Sequence, residues 1–202
     1  MQAYVIQKPG KPNSLKISDQ PEPHPEPGWV KIKVSHIGLN YAEVLSRRGQ
    51  YSWAPPRPYI PGMEAVGEIV AVGEGVPSSR IGEQVIAGHQ YGSYAEYMVV
   101  RDYLAVPIVD SLSLEENAAL MVNYMTAWIA LVELGRMRKD DVVLIQAAAG
   151  GVGTAAVKLA KASGCYVIGT AGAKHKVELL EQIGTDLAIN YREGDWRDSL
   201  AE

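Results

Sequence analysis

The 202-residue sequence holds a single cysteine, Cys165. That excludes an intrachain disulfide and any multi-cysteine zinc site, because tetrahedral structural sites draw on three or four Cys and His side chains. The four histidines, His24, His36, His89 and His175, show no ligand spacing, so residue content gives no support to metal chemistry. A basic excess is missing too: 19 Lys and Arg stand against 23 Asp and Glu, a formal net charge of −4, which leaves no electrostatic footprint for nucleic acid. Apolar stretches break off well before the roughly 18 residues of a spanning helix. The N-terminal MQAYVIQKPGKPNSLK lacks the apolar core of a signal peptide. These absences lead us to expect no membrane span, no nucleic-acid partner and a cytoplasmic location. Hydrophobic residues at 47% and charged residues at 21% are ordinary for a globular chain with a core to bury, in one large domain or two small ones.

What is present falls into two textures. In the first hundred or so residues Val30, Ile32 and Val34 alternate with Lys31, Lys33 and Ser35, the period of a strand with one wet face and a mark of antiparallel sheet. A loop rich in proline and aromatics follows (Tyr51, Trp53, Pro55, Pro56, Pro58, Pro61), then an apolar strand over residues 65–72. Short strands at 84–87, 94–100 and 103–106 complete a small barrel or curled sheet. The pattern changes near residue 110. Ser113 and Glu116 have capping-box spacing. Apolar residues run on through Leu120, Met125, Trp128, Ile129 and Leu131 to Leu134, with a break near Asn123 and Gly135 as the stop. The chain then alternates. A strand at 142–146, short and apolar enough to be buried on both faces, precedes a helix carrying Val152, Ala155, Ala156, Leu159 and Ala160; a strand at 165–170, a helix at 174–183 and a strand at 187–191 follow. This β-α-β-α-β run is the first half of a doubly wound parallel sheet, so the fold class is α/β with a β-rich domain ahead of it.

Between the first of these strands and its helix stands Ala148-Ala149-Gly150-Gly151-Val152-Gly153, an A-x-G-x-x-G turn. Gly150 would let the backbone approach a pyrophosphate and Gly153 would let the helix pack close to the strand, while the helix N-terminus offers N–H groups and a positive dipole end. Ala148 replaces the first glycine, which is acceptable if the turn keeps a negative φ there. A tight turn without a ligand is the competing reading. Cofactor choice rests on the end of the second strand, where NAD enzymes place an acidic residue about 20 residues after the turn. Here Ile168-Gly169-Thr170-Ala171-Gly172-Ala173-Lys174-His175-Lys176 holds no carboxylate. Small and hydroxyl residues followed by Lys174 and Lys176 suit a 2′-phosphate, and a charge-assisted hydrogen bond of about 1.5–3 kcal/mol gives roughly a 10- to 150-fold preference. The expected cofactor is NADPH; solvated helix lysines are the alternative.

Six motifs extend the argument: GLNYAEVLSRRGQY (38–51), PGMEAVGEIVAVGEGV (61–76), GSYAEY (92–97), NYMTAW (123–128), AAAGGVG (147–153) and INYRE (189–193). In this order they resemble the medium-chain dehydrogenase/reductase superfamily over essentially the whole chain, and within it the zinc-free quinone oxidoreductase branch. NYMTAW with GMEAVG is also similar to the vesicle amine transport protein homologues, a sister group. The resemblance implies a GroES-like β-barrel substrate domain over residues 1–122 and a partial Rossmann dinucleotide-binding domain over 123–202. Zinc-dependent relatives carry a Cys and a His where this chain has Asn40 and Met63, so hydride transfer without a metal is implied, and Glu64 cannot hold a zinc alone. The resemblance also assigns Asn40 to the nicotinamide, Thr126 to the cleft, Gly151, Val152 and Gly153 to the pyrophosphate, and Lys176 and Tyr191 to the adenosine phosphate end.

Hydride delivery to a quinone or to the β-carbon of an α,β-unsaturated carbonyl leaves an oxyanion that needs a donor and then a proton. Asn40 and Tyr51 are the catalytic candidates. A phenol of pKa about 10 is a poor acid unless shifted, so water is the other proton source and lining the cleft is the other role for Tyr51. Tyr41 and Trp53 read as packing or pocket wall, Glu43 as a structural hydrogen-bond acceptor, His36 as a satisfied histidine, and Cys165 as a small buried hydrophobe. A second function stays open: a protein that binds NADPH in a structural, sensing or assembly role with little turnover. A homodimer is the expectation from the family. The sequence stops at Glu202, after the third parallel strand and a helix start at Asp195-Trp196, whereas a doubly wound domain has two such halves. We therefore expect a truncated reductase, weak or inactive alone.

Overall fold

The computed structural model describes residues 1–194, so the helix start expected at Asp195-Trp196 lies outside the described residues. The chain divides into two units, Met1–Val122 and Asn123–Glu202.

In the first unit, β1 (Gln2–Ile6) and β2 (Leu15–Asp19) form an antiparallel hairpin. A five-stranded antiparallel sheet is built around β3 (Trp29–Ile37), flanked by β4 (Glu64–Val72) and β6 (Tyr97–Arg101), with β5 (Gln84–Gly88) and β7 (Ala105–Pro107) beyond β4; the order is β6-β3-β4-β5-β7. Two register shifts, after Lys31 and after Val34, bend β3 against β4. The alternation in β3 turns Val30 and Ile32 into a core with Ile69, Val85, Met98 and Val100. Lys31, expected on a wet face, is only 8% exposed. Its ammonium pairs with Glu22 and lies 4.8 Å from the Tyr97 ring centroid, so the segment ahead of the strand covers that face. The strand expected from residue 94 starts at Tyr97, and the one expected from 103 starts at Ala105 after a 3₁₀ turn over Asp102–Leu104.

Helix α1 (Tyr41–Arg48) follows β3 and is closed by Gly49 at φ 75°, where a left-handed residue lets the N–H bond back to Leu45 and Ser46. Ser113 and Glu116 form the expected capping box at the start of α2 (Leu114–Ala118). The break that follows falls at Ala119 and Leu120 rather than near Asn123, and α3 (Met121–Trp128) runs on into a six-residue π turn over Ile129–Leu134.

In the second unit, β8 (Val142–Ile145), α4 (Gly151–Ala162), β9 (Tyr166–Ala171), α5 (Lys174–Gln182) and β10 (Leu187–Asn190) give a parallel sheet in the order β10-β9-β8. Ala155, Ala156, Val157 and Ala160 of α4 pack with Val167 and Leu180 in its core. Val152, counted at sequence level with the apolar helix positions, is 38% exposed; it sits in the first turn, beyond the packed stretch. Burial of β8 on both faces is not what the structure has. Val143 and Ile145 reach the core while Val142 and Leu144 are exposed, because successive crossovers in one direction lay both helices over one face of the sheet. Cys165 is buried just ahead of β9, its thiol donating to the Arg138 carbonyl at 3.2 Å.

Candidate functional site

The turn after β8 is held by backbone bonds. Ala147 takes the left-handed conformation at φ 50°. Its carbonyl accepts from Gly150 N at 2.9 Å, and the buried Ala148 donates its N–H to Thr170 O at 3.0 Å. Ala148 itself is not among the positive-φ residues, which meets the condition for an alanine there. At Gly153 a Cβ would stand 2.5 Å from Ala147 O and 2.6 Å from Ala148 Cα; only glycine permits so close an approach of helix to turn. A Cβ on Gly151 would stand 2.6 Å from Asn123 Oδ1. Gly150 is the N-cap of α4, in extended backbone; it has no side chain to cap with, and the first turn carries no acidic residue. The helix start therefore presents a positive dipole end, with no carboxylate of its own first turn to offset it, toward an anion.

Helix α5 begins the same way: Ala173 caps it without a side-chain bond and its first turn carries no acid. Lys176 is exposed in that turn. Thr170 is buried at the end of β9. Gly172 lies under Tyr191, so close that a Cβ would fall 2.5 Å from the phenol oxygen, and Tyr191 N donates to Ala171 O at 3.1 Å. The end of β9, the start of α5 and the end of β10 thus converge. Thr126 is exposed on α3.

In the first unit the site is Asn40 and two buried carboxylates. Asn40 is the N-cap of α1, and its N–H donates to a Glu43 oxygen. The other Glu43 oxygen accepts from Met63 N at 3.0 Å, the structural role expected of that residue. The Asn40 Nδ2 donates to Glu64 Oε1 at 2.9 Å, and Glu64 Oε2 accepts from Val122 N at 2.8 Å. Glu64 is fully buried in space that Gly38 leaves open; a Cβ there would meet its carboxylate at 2.4 Å. Burial pushes both carboxyls up, and their hydrogen bonds, led by Asn40 N on Glu43 and Val122 N on Glu64, pull back. Tyr94 bonds to Glu43, and burial together with that charge drives its hydroxyl well above the ordinary phenol range. Asn40, Glu43 and Tyr94 line a pocket of about 230 Å³ with Leu39, Val44 and Pro61.

Tyr51 lines a neighbouring pocket that shares Glu43 and includes Ser46, Tyr59 and Gln90. Asn40 and Tyr51 are therefore set on two pockets with one carboxylate between them. Tyr41 and Trp53, expected as packing or pocket wall, are both largely exposed. The pairing of Asn40 with Glu64 and the part played by Tyr94 were not foreseen; a glutamate opening a mostly apolar strand was the available signal. His36 lies between Ser35 and Glu115 on β3. No group of three His, Cys, Asp or Glu suited to a metal occurs among the described residues, and none of their helices is long and apolar enough to cross a membrane.

Residues 26–110 match the alcohol dehydrogenase GroES-like domain family and residues 151–202 match the zinc-binding dehydrogenase family. The chain belongs to the medium-chain dehydrogenase/reductase superfamily. Within this superfamily it is 36% identical to the synaptic vesicle membrane protein VAT-1 homolog of Rattus norvegicus over 99% of the chain and 50% of that protein. It is equally, 36%, identical to the quinone oxidoreductase of the same species over 99% of the chain and 61% of the relative. Among solved structures of the superfamily, the quinone oxidoreductase from Thermus thermophilus, described also in complex with NADPH, superposes with a TM-score of 0.86 at 36% identity, covering 100% of this chain and 63% of that one. The chain spans about half to three fifths of the length of these curated relatives. The GroES-like match lies within the first unit and the dehydrogenase match within the second, so the fold is that of the superfamily's GroES-like domain followed by the start of its Rossmann-like domain.

Proposed function

We propose that this chain carries the cofactor and substrate elements of an NADPH-dependent oxidoreductase that delivers hydride to a quinone or an α,β-unsaturated carbonyl without a metal. The observation that carries the reading is the pair of helix starts at Gly150 and Ala173, where neither N-cap residue makes a side-chain bond and neither first turn holds an acid. Gly150, Gly151, Val152 and Gly153 would hold the pyrophosphate on backbone N–H groups. Thr170, Gly172, Lys176 and Tyr191 would hold the adenosine end, with Lys176 paired to the 2′-phosphate. Thr126 and Asn40 would contact the nicotinamide side. When bound, the dinucleotide supplies the hydride.

The chain's own task at the reacting end is to position and protonate. Glu64 fixes the Asn40 carboxamide by accepting from Nδ2, and Asn40 would orient the carbonyl-bearing substrate. Tyr51 or water would provide the proton. A homodimer and a cytoplasmic location belong to the same proposal. The equal identity to relatives of two different names, quinone oxidoreductase and VAT-1 homolog, supports a second reading, in which NADPH is bound in a structural, sensing or assembly role. NADPH oxidation with simple quinones and enones, run beside a binding titration, separates the two. Turnover supports the reductase; saturable NADPH binding with no acceptor reduced supports the second reading, and no binding of either nucleotide counts against both.

A further inference from the structure

Elsewhere in the first unit, the loop at Pro9 to Pro12 and the last turn of α1 border an open, shallow pocket of about 410 Å³ lined by Pro9, Gly10, Lys11, Pro12, Arg47 and Arg48. Three of its six lining residues are cations and none is an acid. Arg57 joins the same end of α1, donating to Ser46 O at 3.2 Å. None of these four cations makes an ion pair among the described residues, whereas Lys31, Arg80 and Lys161 each have a carboxylate partner. In a chain of net charge −4, this clustering is not general basicity.

The helix offsets little of the charge. A helix C-terminus contributes about half a negative charge, against three or four full positive ones. The pocket is also held in shape. Gly10 N donates to Arg47 O at 2.9 Å and Arg47 Nη1 donates back to Gly10 O at 2.7 Å, a reciprocal clamp between loop and helix. That bond occupies one N–H of the guanidinium and leaves the others, together with Lys11 and Arg48, for a ligand.

We propose that this pocket binds a phosphate group, of a free phosphate or monoester or of a phospholipid headgroup. A tetrahedral oxyanion with several acceptor oxygens matches a guanidinium fork held by Gly10 and flanked by two exposed cations, and Arg pairs with phosphate by two parallel bonds.

Amide and arginine side-chain NMR shifts of the full chain, titrated with inorganic phosphate at constant ionic strength, test the site apart from the nucleotide turn. Saturable shifts at Gly10, Lys11 and Arg47 to Gly49 are expected, and the double variant Lys11→Ala/Arg48→Ala should weaken them about tenfold while shifts at Gly150 to Gly153 stay as in the parent. Arg47 is kept because its bond to Gly10 holds the loop. Sedimentation with vesicles of phosphatidylcholine with and without phosphatidic acid separates the sources. Binding of phosphatidic acid vesicles that the double variant loses, without saturation by free phosphate, assigns a lipid phosphate; saturation by free phosphate assigns a soluble one. The proposal is overturned if chloride at matched ionic strength reproduces the shifts, if neither probe binds, or if the double variant binds like the parent.

Discussion

Asn40 Nδ2 and the buried Glu64 Oε1 stand 2.9 Å apart, and the other oxygen of the same carboxylate takes the Val122 amide at 2.8 Å. A residue at the start of α1 and another inside α3 thus depend on one side chain from β4. Removing it strands two donors in a buried site. Glu64→Ala is expected to destabilise the chain by about 1–3 kcal/mol for each donor left without a partner, read as a lower urea midpoint. Glu64→Gln keeps one acceptor oxygen and should lose less. A midpoint unchanged in Glu64→Ala would show that water replaces the carboxylate at no cost.

Gly153 has no room for a methyl group. With backbone atoms of Ala147 and Ala148 2.5–2.6 Å from a Cβ, Gly153→Ala must push α4 off the turn. The expected cost is about 1–3 kcal/mol, together with a loss of nucleotide affinity, checked by unfolding and by calorimetric titration with NADPH. Native stability with native affinity would show that the helix shifts freely.

These two sites were legible to different degrees. The turn at Gly150 and the helix at α4 follow from local spacing, which fixes strand, glycine cluster and amphipathic helix within 20 or so residues. That the strands of the second unit run parallel follows from the same alternation of strand and helix. Helix α1 was not read from the pattern, because its short run from Tyr41 to Arg48 buries Glu43 and Ser46 rather than an apolar stripe. The Asn40 and Glu64 contact joins positions 24 apart in sequence across α1 and the proline-rich loop, a path that no local period encodes. Lys31 was misplaced for a similar reason: the sequence shows a lysine on an alternating strand, while its burial depends on Glu22 and Tyr97 arriving from elsewhere.

In the proposed function Lys176 would carry the cofactor preference. Lys176→Ala is expected to weaken NADPH binding about 10- to 150-fold with little effect on NADH, measured by parallel titrations with the two nucleotides. Equal losses for both would remove the 2′-phosphate assignment, since the lysine would then act on a part the two cofactors share.

Asp186 sets an acid-side dependence. Its carboxylate takes Lys161 Nζ at 2.7 Å and Val167 N at 2.6 Å, and the Lys161 bond, followed by the Val167 amide, holds its pKa below the usual Asp value. A depressed folded pKa means that the unfolded state binds more protons in the window between the two values. The stabilisation is complete above the ordinary Asp pKa and fades as pH falls through the folded one. Urea unfolding across acid pH should show the advantage of the parent over Asp186→Asn shrinking as pH falls; an advantage constant with pH would mean that the bonds act without their charge.

The alanine at 147 gives the turn ahead of α4 an unusual energetic character. A left-handed alanine costs about 1–2 kcal/mol that a glycine would not, so the chain spends folding energy to keep the turn from sampling the wider backbone space glycine opens. The turn is thereby set before any anion arrives, and less ordering entropy is left to be lost on binding. The left-handed position thus falls at Ala147, one residue ahead of the fingerprint, and not at Ala148 where the fingerprint lacks its glycine.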